Sequence, residues 1–380
     1  MRVLVIYPKF YVYGGGEVLV VRLCNYLSRR GIQNSILTTD MMPEIRADLA
    51  GTEVIIEKTR GTATSVRGRY QLELNALAEG VKKHQNDFDI LNPHNFPSEI
   101  AAASGVKPVA WMCNEPELYL LKDHPNFRSI LSLDRLYLLL LFLREKSLVN
   151  KHIRHAVVSD EYNAARFHSI YGIRPHIINY GIDYDFFSVS DAASQPHGDD
   201  LTGKFVILHV GMLTPFKNQM ESLKALNEVK KQIPESVLVF AGGGYDEAYK
   251  QQIDAYIREH ELSDRVVFKG HINRNKLRSL YRKTDVMIHP VKAQGGWLSP
   301  FELLSAGRPI IVSRELTASY IIEKEKIGIV TEDYARAIAD VYADKEGYRR
   351  MAARGREYVK EHLSWDSFGE KMVQVYKAAI

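Results

Sequence analysis

The chain has 380 residues, 46% of them hydrophobic and 25% charged, with a formal net charge of +4. This is the balance of a soluble globular protein, too long for one ordinary core and too weakly basic to imply a nucleic-acid partner. Cys24 and Cys113, the two cysteines, lie far apart without metal-ligand spacing, which excludes a disulfide scaffold and reads as reduced thiols in a cytoplasmic protein.

The opening MRVLVIYPKF reads as a strand, because its apolar run is short and meets Tyr7-Pro8-Lys9 without a cleavage-type segment. Val3–Ile6 is apolar without alternation, as in a parallel strand buried on both faces. Tyr13-Gly14-Gly15-Gly16-Glu17 follows, then Val18–Leu27 at helical spacing. Strand, glycine loop and helix make the first turn of a doubly wound domain; the glycines serve either a tight turn or close approach to a ligand. The pattern is not GxGxxG and gives little support to a dinucleotide site. Ser35–Thr38 is the next strand. A helix over 70–85 leads to the strand Asp89–Leu91 and the polar turn Asn92-Pro93-His94-Asn95. His94 sits where functional groups collect in open α/β sheets, though a lone histidine is more often a satisfied structural residue. Val106–Met112 reads as a further strand, ending in Asn114-Glu115-Pro116-Glu117.

Leu131–Leu143 carries LYLLLLFL and a basic tail from Arg144 through Lys146, Lys151 and Arg154. The run is too short to span a bilayer, which takes about 20 residues. It is either a buried helix or an interfacial one with basic residues toward anionic lipid. Ala156–Ser159 and Ile177–Asp183 close the first domain, expected over 1–186, and the polar stretch 187–203 reads as a linker. The pattern then restarts over 204–360. Strand Phe205–Val210 leads to the loop Gly211–Asn218 and a helix from Gln219 to Ile233. Strand Val237–Ala241 ends in Gly242-Gly243-Gly244, and a helix over 246–260 follows. Strand Val266–Lys269 turns at Gly270-His271-Ile272 into a helix over 275–282, and strand Val286–His289 comes next. A helix over 361–380 is expected to pack back on the first domain. The fold class is therefore α/β, with two doubly wound Rossmann-like domains facing across a cleft.

The second domain centres on Lys292–Val312, KAQGGWLSPFELLSAGRPIIV. Ser299-Pro300 starts a helix over Phe301–Ala306, with Pro300 suited to its first position and Gly307 to its C-terminal cap. The bare N–H groups at such a helix start hold anions.

Taken in order, these pieces resemble the GT-B glycosyltransferases of family 4 over nearly the whole chain. The matching segments are Gly15-Gly16-Glu17, Val157-Val158-Ser159, Asn179-Tyr180-Gly181-Ile182-Asp183, Val210-Gly211-x-Leu213-x-x-x-Lys217, Ala241-Gly242-x-Gly244, Asp285-Val286 and Glu302-x-x-Ser305-Ala306-Gly307-x-Pro309. The resemblance implies a retaining, metal-independent hexosyltransferase that needs no cofactor besides its nucleotide diphosphate sugar, UDP-linked in preference to GDP-linked. Lys217 would meet the diphosphate, together with the backbone of Leu298, Ser299 and Phe301 and the loop at Gly211. Glu302 would accept from the ribose hydroxyls, and His271 with Ile272 would meet the base. Gly15 and Gly16 would close over the diphosphate, His94 would lie beside the sugar, and Gln294, Gly295, Gly296 and Trp297 would line it. The acceptor would be a polysaccharide or a lipid-linked glycan, with work in the cytoplasm or at the inner face of the membrane and no nucleic-acid partner.

Two positions depart from the family pattern. Gln294 stands eight residues before Glu302 where a second glutamate is expected, and Met212 follows Gly211 where an arginine is expected. An amide still holds sugar hydroxyls but brings no charge. The missing guanidinium is worth about 1.5–3 kcal/mol, and Lys292 and Arg314 are the nearby cations that could replace it. These departures keep open a nucleotide-sugar-binding protein of impaired catalysis. An NAD-dependent oxidoreductase carries little weight without GxGxxG and its acidic partner.

Overall fold

The computed structural model describes residues 1–11, 13–114, 116, 133–188, 201–292 and 297–380. By its internal contacts the chain divides into two compact units, Met1–Gly181 with Trp365–Ile380 and Ile182–Ser364. Most of the linker expected over 187–203 lies outside the described residues. Tyr184–Ser188 is helical and belongs to the second unit, where the ring of Phe187 lies 5.4 Å from that of Tyr281.

The first unit carries β1 (Arg2–Ile6), β2 (Gln33–Thr38), β3 (Glu53–Ile56), β4 (Ile90–Pro93), β5 (Ala110–Met112), β6 (His155–Val158) and β7 (His176–Ile177). The order β3-β2-β1-β4 is parallel throughout, with Leu4 level with Ser35 on one side and Leu91 on the other. Single bridges Leu91–Val109 and His94–Met112 carry the order on to β5, β6 and β7. Leu4, Ile6, Leu37, Leu91, Trp111, Val158 and Phe167 form one core, so the apolar runs are indeed the strands buried on both faces. The strand expected from Val106 begins only at Ala110: Pro108 has no N–H to donate, and its carbonyl accepts from Leu91 N at 2.9 Å. The edge strand β3 has only the short run Val54–Ile56 and is not fully buried at any position.

The second unit carries β8 (Phe205–Val210), β9 (Ser236–Ala241), β10 (Val266–Phe268), β11 (Val286–His289), β12 (Ile310–Val312) and β13 (Ile329–Val330). Its order is β10-β9-β8-β11-β12-β13, again all parallel. The direction of strand addition reverses between β8 and β11, which is the switch point where ligands gather in open α/β sheets. In the first unit the same reversal falls between β1 and β4.

The tail forms two helices, Lys345–His362 in the second unit and Trp365–Ala379 in the first. The last one packs on the helix Gly15–Arg29, where a Cβ on Gly369 would come within 2.3 Å of the Tyr26 ring. Tyr376 donates to Asn92 Oδ1 at 2.7 Å, which ties this helix to the end of β4.

Candidate functional site

At the carboxyl edge of the second unit, three loops lean on one another. Gly211 N donates to Ala241 O at 2.8 Å, and Gly242 N donates to Gly270 O at 2.9 Å. A Cβ on Gly242 would lie 2.2 Å from Gly211 O, so no side chain fits there. Gly243 lies under His271, 3.0 Å from its Cβ to a built Cβ. His271 and Ile272 thus sit on a shelf of glycine backbone. Gly242→Ala is expected to lower the melting temperature by several degrees, because the clash is with backbone that cannot rotate away. Differential scanning fluorimetry reads the effect.

Lys217 lies over the first of these loops. A Cβ on Gly211 would come within 3.2 Å of Lys217 Cδ, so the glycine is what lets the lysine stem pack there. Beneath it His209 is fully buried, with Nδ1 2.8 Å from Ser222 Oγ. Burial first, and the Lys217 charge second, push its pKa down to about 3. Asn218 takes a left-handed conformation, φ 59°, and its Nδ2 donates to Pro290 O at 3.0 Å. Lys292 N donates to Phe216 O at 2.8 Å. These bonds join the loop after β8 to the segment after β11 across the switch point.

The helix expected from Phe301 runs over Leu298–Ser305, starting three residues earlier than the sequence suggested. Pro300 is therefore its third residue, still within the first turn, where a missing N–H breaks no intrahelical bond. Trp297 at the N-cap gives no side-chain hydrogen bond to that end. The N–H groups of Leu298, Ser299 and Phe301 lie in this first turn. Gly307 beyond the helix is left-handed, φ 69°, as a terminating glycine should be. The expected sugar-lining residues Gln294, Gly295 and Gly296 lie outside the described residues. Trp297 is fully buried, its ring 5.2 Å from that of Phe301.

Glu302 has a partner that the sequence did not reveal. Tyr281 is fully buried and donates its hydroxyl to Glu302 Oε2 at 2.8 Å. Arg274 hydrogen-bonds Asp183 and stacks over the Phe186 ring at 4.7 Å. Desolvation drives the Glu302 carboxyl up to about 7, while the Tyr281 hydroxyl and the Arg274 charge hold it down. Arg274 and Tyr281 are seven residues apart on the helix Arg274–Lys283, hence on one face, and that spacing is the one sequence signal that could have found them. Of the cations offered as substitutes for an arginine at 212, Arg314 faces Glu323 at 3.6 Å. Lys292 has an exposed side chain beside the Lys217 loop. Met212 itself is 46% exposed.

At the carboxyl edge of the first unit, Gly15 and Gly16 open the helix Gly15–Arg29. A Cβ on Gly16 would lie 2.9 Å from the Tyr7 hydroxyl. Asn95, left-handed at φ 55°, donates to that hydroxyl at 3.2 Å and accepts from Asn114 Nδ2 at 2.7 Å. Tyr180 donates to Asn114 Oδ1 at 2.9 Å. A chain of amides and phenols therefore runs along the ends of β1, β4 and β5, with Asn95 and Asn114 as its two inner links. His94 is at the end of β4, but its ring is fully buried within the unit, with Nε2 2.8 Å from Asn92 Oδ1. Burial holds it neutral, its pKa down to about 3. Asn95 and Asn114 are both half-buried at this edge. Among the described residues no group of three or more His, Cys, Asp or Glu side chains could hold a metal ion.

The model of the glycosyl transferases group 1 matches residues 194–358, and that of glycosyltransferase family 4 matches residues 13–186. The GDP-mannose-dependent alpha-(1-6)-phosphatidylinositol monomannoside mannosyltransferase of Mycobacterium tuberculosis is 24% identical over 231 residues, 56% of this chain and 58% of its own. Spore coat protein SA of Bacillus subtilis is 26% identical over 193 residues, 47% of this chain and 50% of its own. The chain thus spans about half the length of the curated relatives it matches. In fold it is similar to Anabaena HepE in complex with UDP and glucose, with a TM-score of 0.80 over 100% of both chains at 16% identity. Sucrose-phosphate synthase from Thermosynechococcus elongatus gives 0.81 over 99% of this chain and 98% of its own, at 18% identity. The two family models together take up both parallel-sheet units, and the chain belongs to the family-4-like glycosyltransferases of the GT-B fold.

Proposed function

We propose that the chain moves a hexose, with retention of configuration, from a nucleotide diphosphate sugar to a polysaccharide or lipid-linked glycan acceptor. The observation that carries this is the pairing of Glu302 with Tyr281 beside a helix start that Trp297 leaves uncapped, with Lys217 held at the same switch point. Glu302 accepts from both ribose hydroxyls, and His271 and Ile272 flank the base. Lys217 and the N–H groups of Leu298, Ser299 and Phe301 take up the charge of the leaving diphosphate, so the reading needs neither metal nor cofactor. The acceptor oxygen bonds to the anomeric carbon on the face from which the diphosphate leaves. The anomeric carbon–phosphate oxygen bond breaks, and that departing oxygen takes the acceptor proton. UDP is favoured over GDP; the HepE structures with UDP and UDP-glucose support the first and the mannosyltransferase the second.

Met212 and Gln294 support a second reading, a protein that binds the nucleotide sugar without transferring it. Thermal-shift measurements with UDP, GDP and NAD, paired with a donor-hydrolysis assay, separate the cases. A shift with UDP or GDP together with turnover is the expected result. A shift without turnover supports the binding protein, and a shift with NAD alone overturns both.

A further inference from the structure

The helix Leu133–His152 presents an apolar face to solvent although its core face is already filled. Leu141, Glu145 and Val149 are buried, and the Tyr171 hydroxyl donates to Glu145 Oε1 at 2.8 Å, so one side of the helix is fixed in the first unit. On the other side Leu136, Leu139, Leu140 and Leu143 are 54%, 52%, 58% and 51% exposed. Spacings of three and four place these leucines one above another on a single face. An ordinary surface helix carries polar side chains there, and a leucine row of this kind marks an interaction surface.

The charges along the same side identify the partner. Arg144 and Lys151 are exposed on the helix beyond Leu143, and Arg154 is exposed just past its end. Over Leu136–His152 the one acidic residue is Glu145, and it points into the core. The face is therefore apolar and then basic, without exposed negative charge. That arrangement complements a surface with hydrocarbon beneath anionic headgroups, where leucines enter the acyl boundary and lysines and arginines stay at headgroup level. No described helix is long and apolar enough to cross a membrane, so a helix held on such a surface lies in its plane.

We propose that the exposed Leu136–Leu143 face, with Arg144, Lys151 and Arg154, docks the chain onto an anionic lipid bilayer. The inference names a surface for the lipid-linked part of the functional reading and rests on it only there; its test involves no sugar transfer, so either can fail alone. The full chain is sedimented with vesicles of phosphatidylcholine, and with vesicles containing phosphatidylglycerol as well. Binding is expected to the anionic vesicles, weaker by about tenfold or more on neutral ones or in high salt. Leu139→Ser with Leu143→Ser should weaken it by about tenfold or more, since each leucine loses its burial in the acyl boundary. Arg144→Gln with Lys151→Gln should remove most of the difference between the two vesicle types. The melting temperature should be close to that of the wild type in both variants, which shows that the fold is intact. Wild-type binding by the leucine variant overturns the proposal. So does a wild-type chain that ignores vesicles but forms a dimer that the leucine substitutions break.

Discussion

Lys217→Met is expected to lower kcat/KM for donor turnover by about two to three orders of magnitude, as for loss of one positioned donor to a developing anion. The site has few substitutes for this charge. Met212 brings none, and Arg314 is engaged with Glu323. Lys292 is the remaining nearby cation, with an exposed side chain that must give up freedom to help. Methionine is the sharper substitution than alanine. It keeps the stem that packs within 3.2 Å of the built Gly211 Cβ and removes the ammonium alone. Product affinity should fall less than the rate. A charge-assisted hydrogen bond is worth about 1.5–3 kcal/mol, or about 10- to 150-fold in the UDP dissociation constant. Calorimetry for UDP beside steady-state kinetics reads the split. Full turnover by Lys217→Met, or loss of the native melting transition, would remove Lys217 from the role given to it.

The parallel strands were legible because a strand covered on both faces has to be apolar without interruption, and β1, β8, β9 and β11 are buried along nearly their whole lengths. The glycine loops were legible for a related reason: backbone approach as close as that of Gly242 to Gly211 admits no other residue. What stayed hidden depends on side-chain direction or on partners distant in sequence. Arg274 and Asp183 are separated by 91 positions, and neither carries a local signal of the other. His94 could be placed at the end of β4, but its ring faces Asn92, which in turn accepts from Tyr376 of the last helix, and periodicity over two residues cannot show this. The leucine helix is apolar both on its core face and on its exposed one, so composition gave it no inside and outside. The helix start moved from Phe301 to Leu298 because a proline is as well tolerated at the third helical position as at the first.

The Glu302–Tyr281 pair should make nucleotide binding depend on pH near neutrality. In the free site burial raises the Glu302 carboxyl to about 7, above its ordinary 4.5. If the ribose hydroxyls are held by the carboxylate, affinity is level above pH 7 and falls by up to about tenfold per unit below it. Tyr281→Phe removes the donor at 2.8 Å that favours the charged form. A lost hydrogen bond to a charge, about 1.5–3 kcal/mol, moves the carboxyl up by about one to two units. At pH 7, where the wild-type carboxyl is already half protonated, the variant should therefore bind UDP about five- to fiftyfold more weakly, and at pH 9 most of the loss should return. A purely structural loss would persist at both. Glu302→Gln should bind weakly at every pH and show no slope. Stability without ligand should move the other way. A carboxyl whose pKa is raised on folding favours the folded state below its unfolded value and loses that contribution as pH rises through the folded one. Removing the ionisable group should thus raise the melting temperature of the free protein at pH 8 while abolishing its UDP shift. A wild-type affinity that stays flat from pH 6 to 9 would mean that Glu302 is ionised throughout, and that Tyr281 holds its geometry and not its charge.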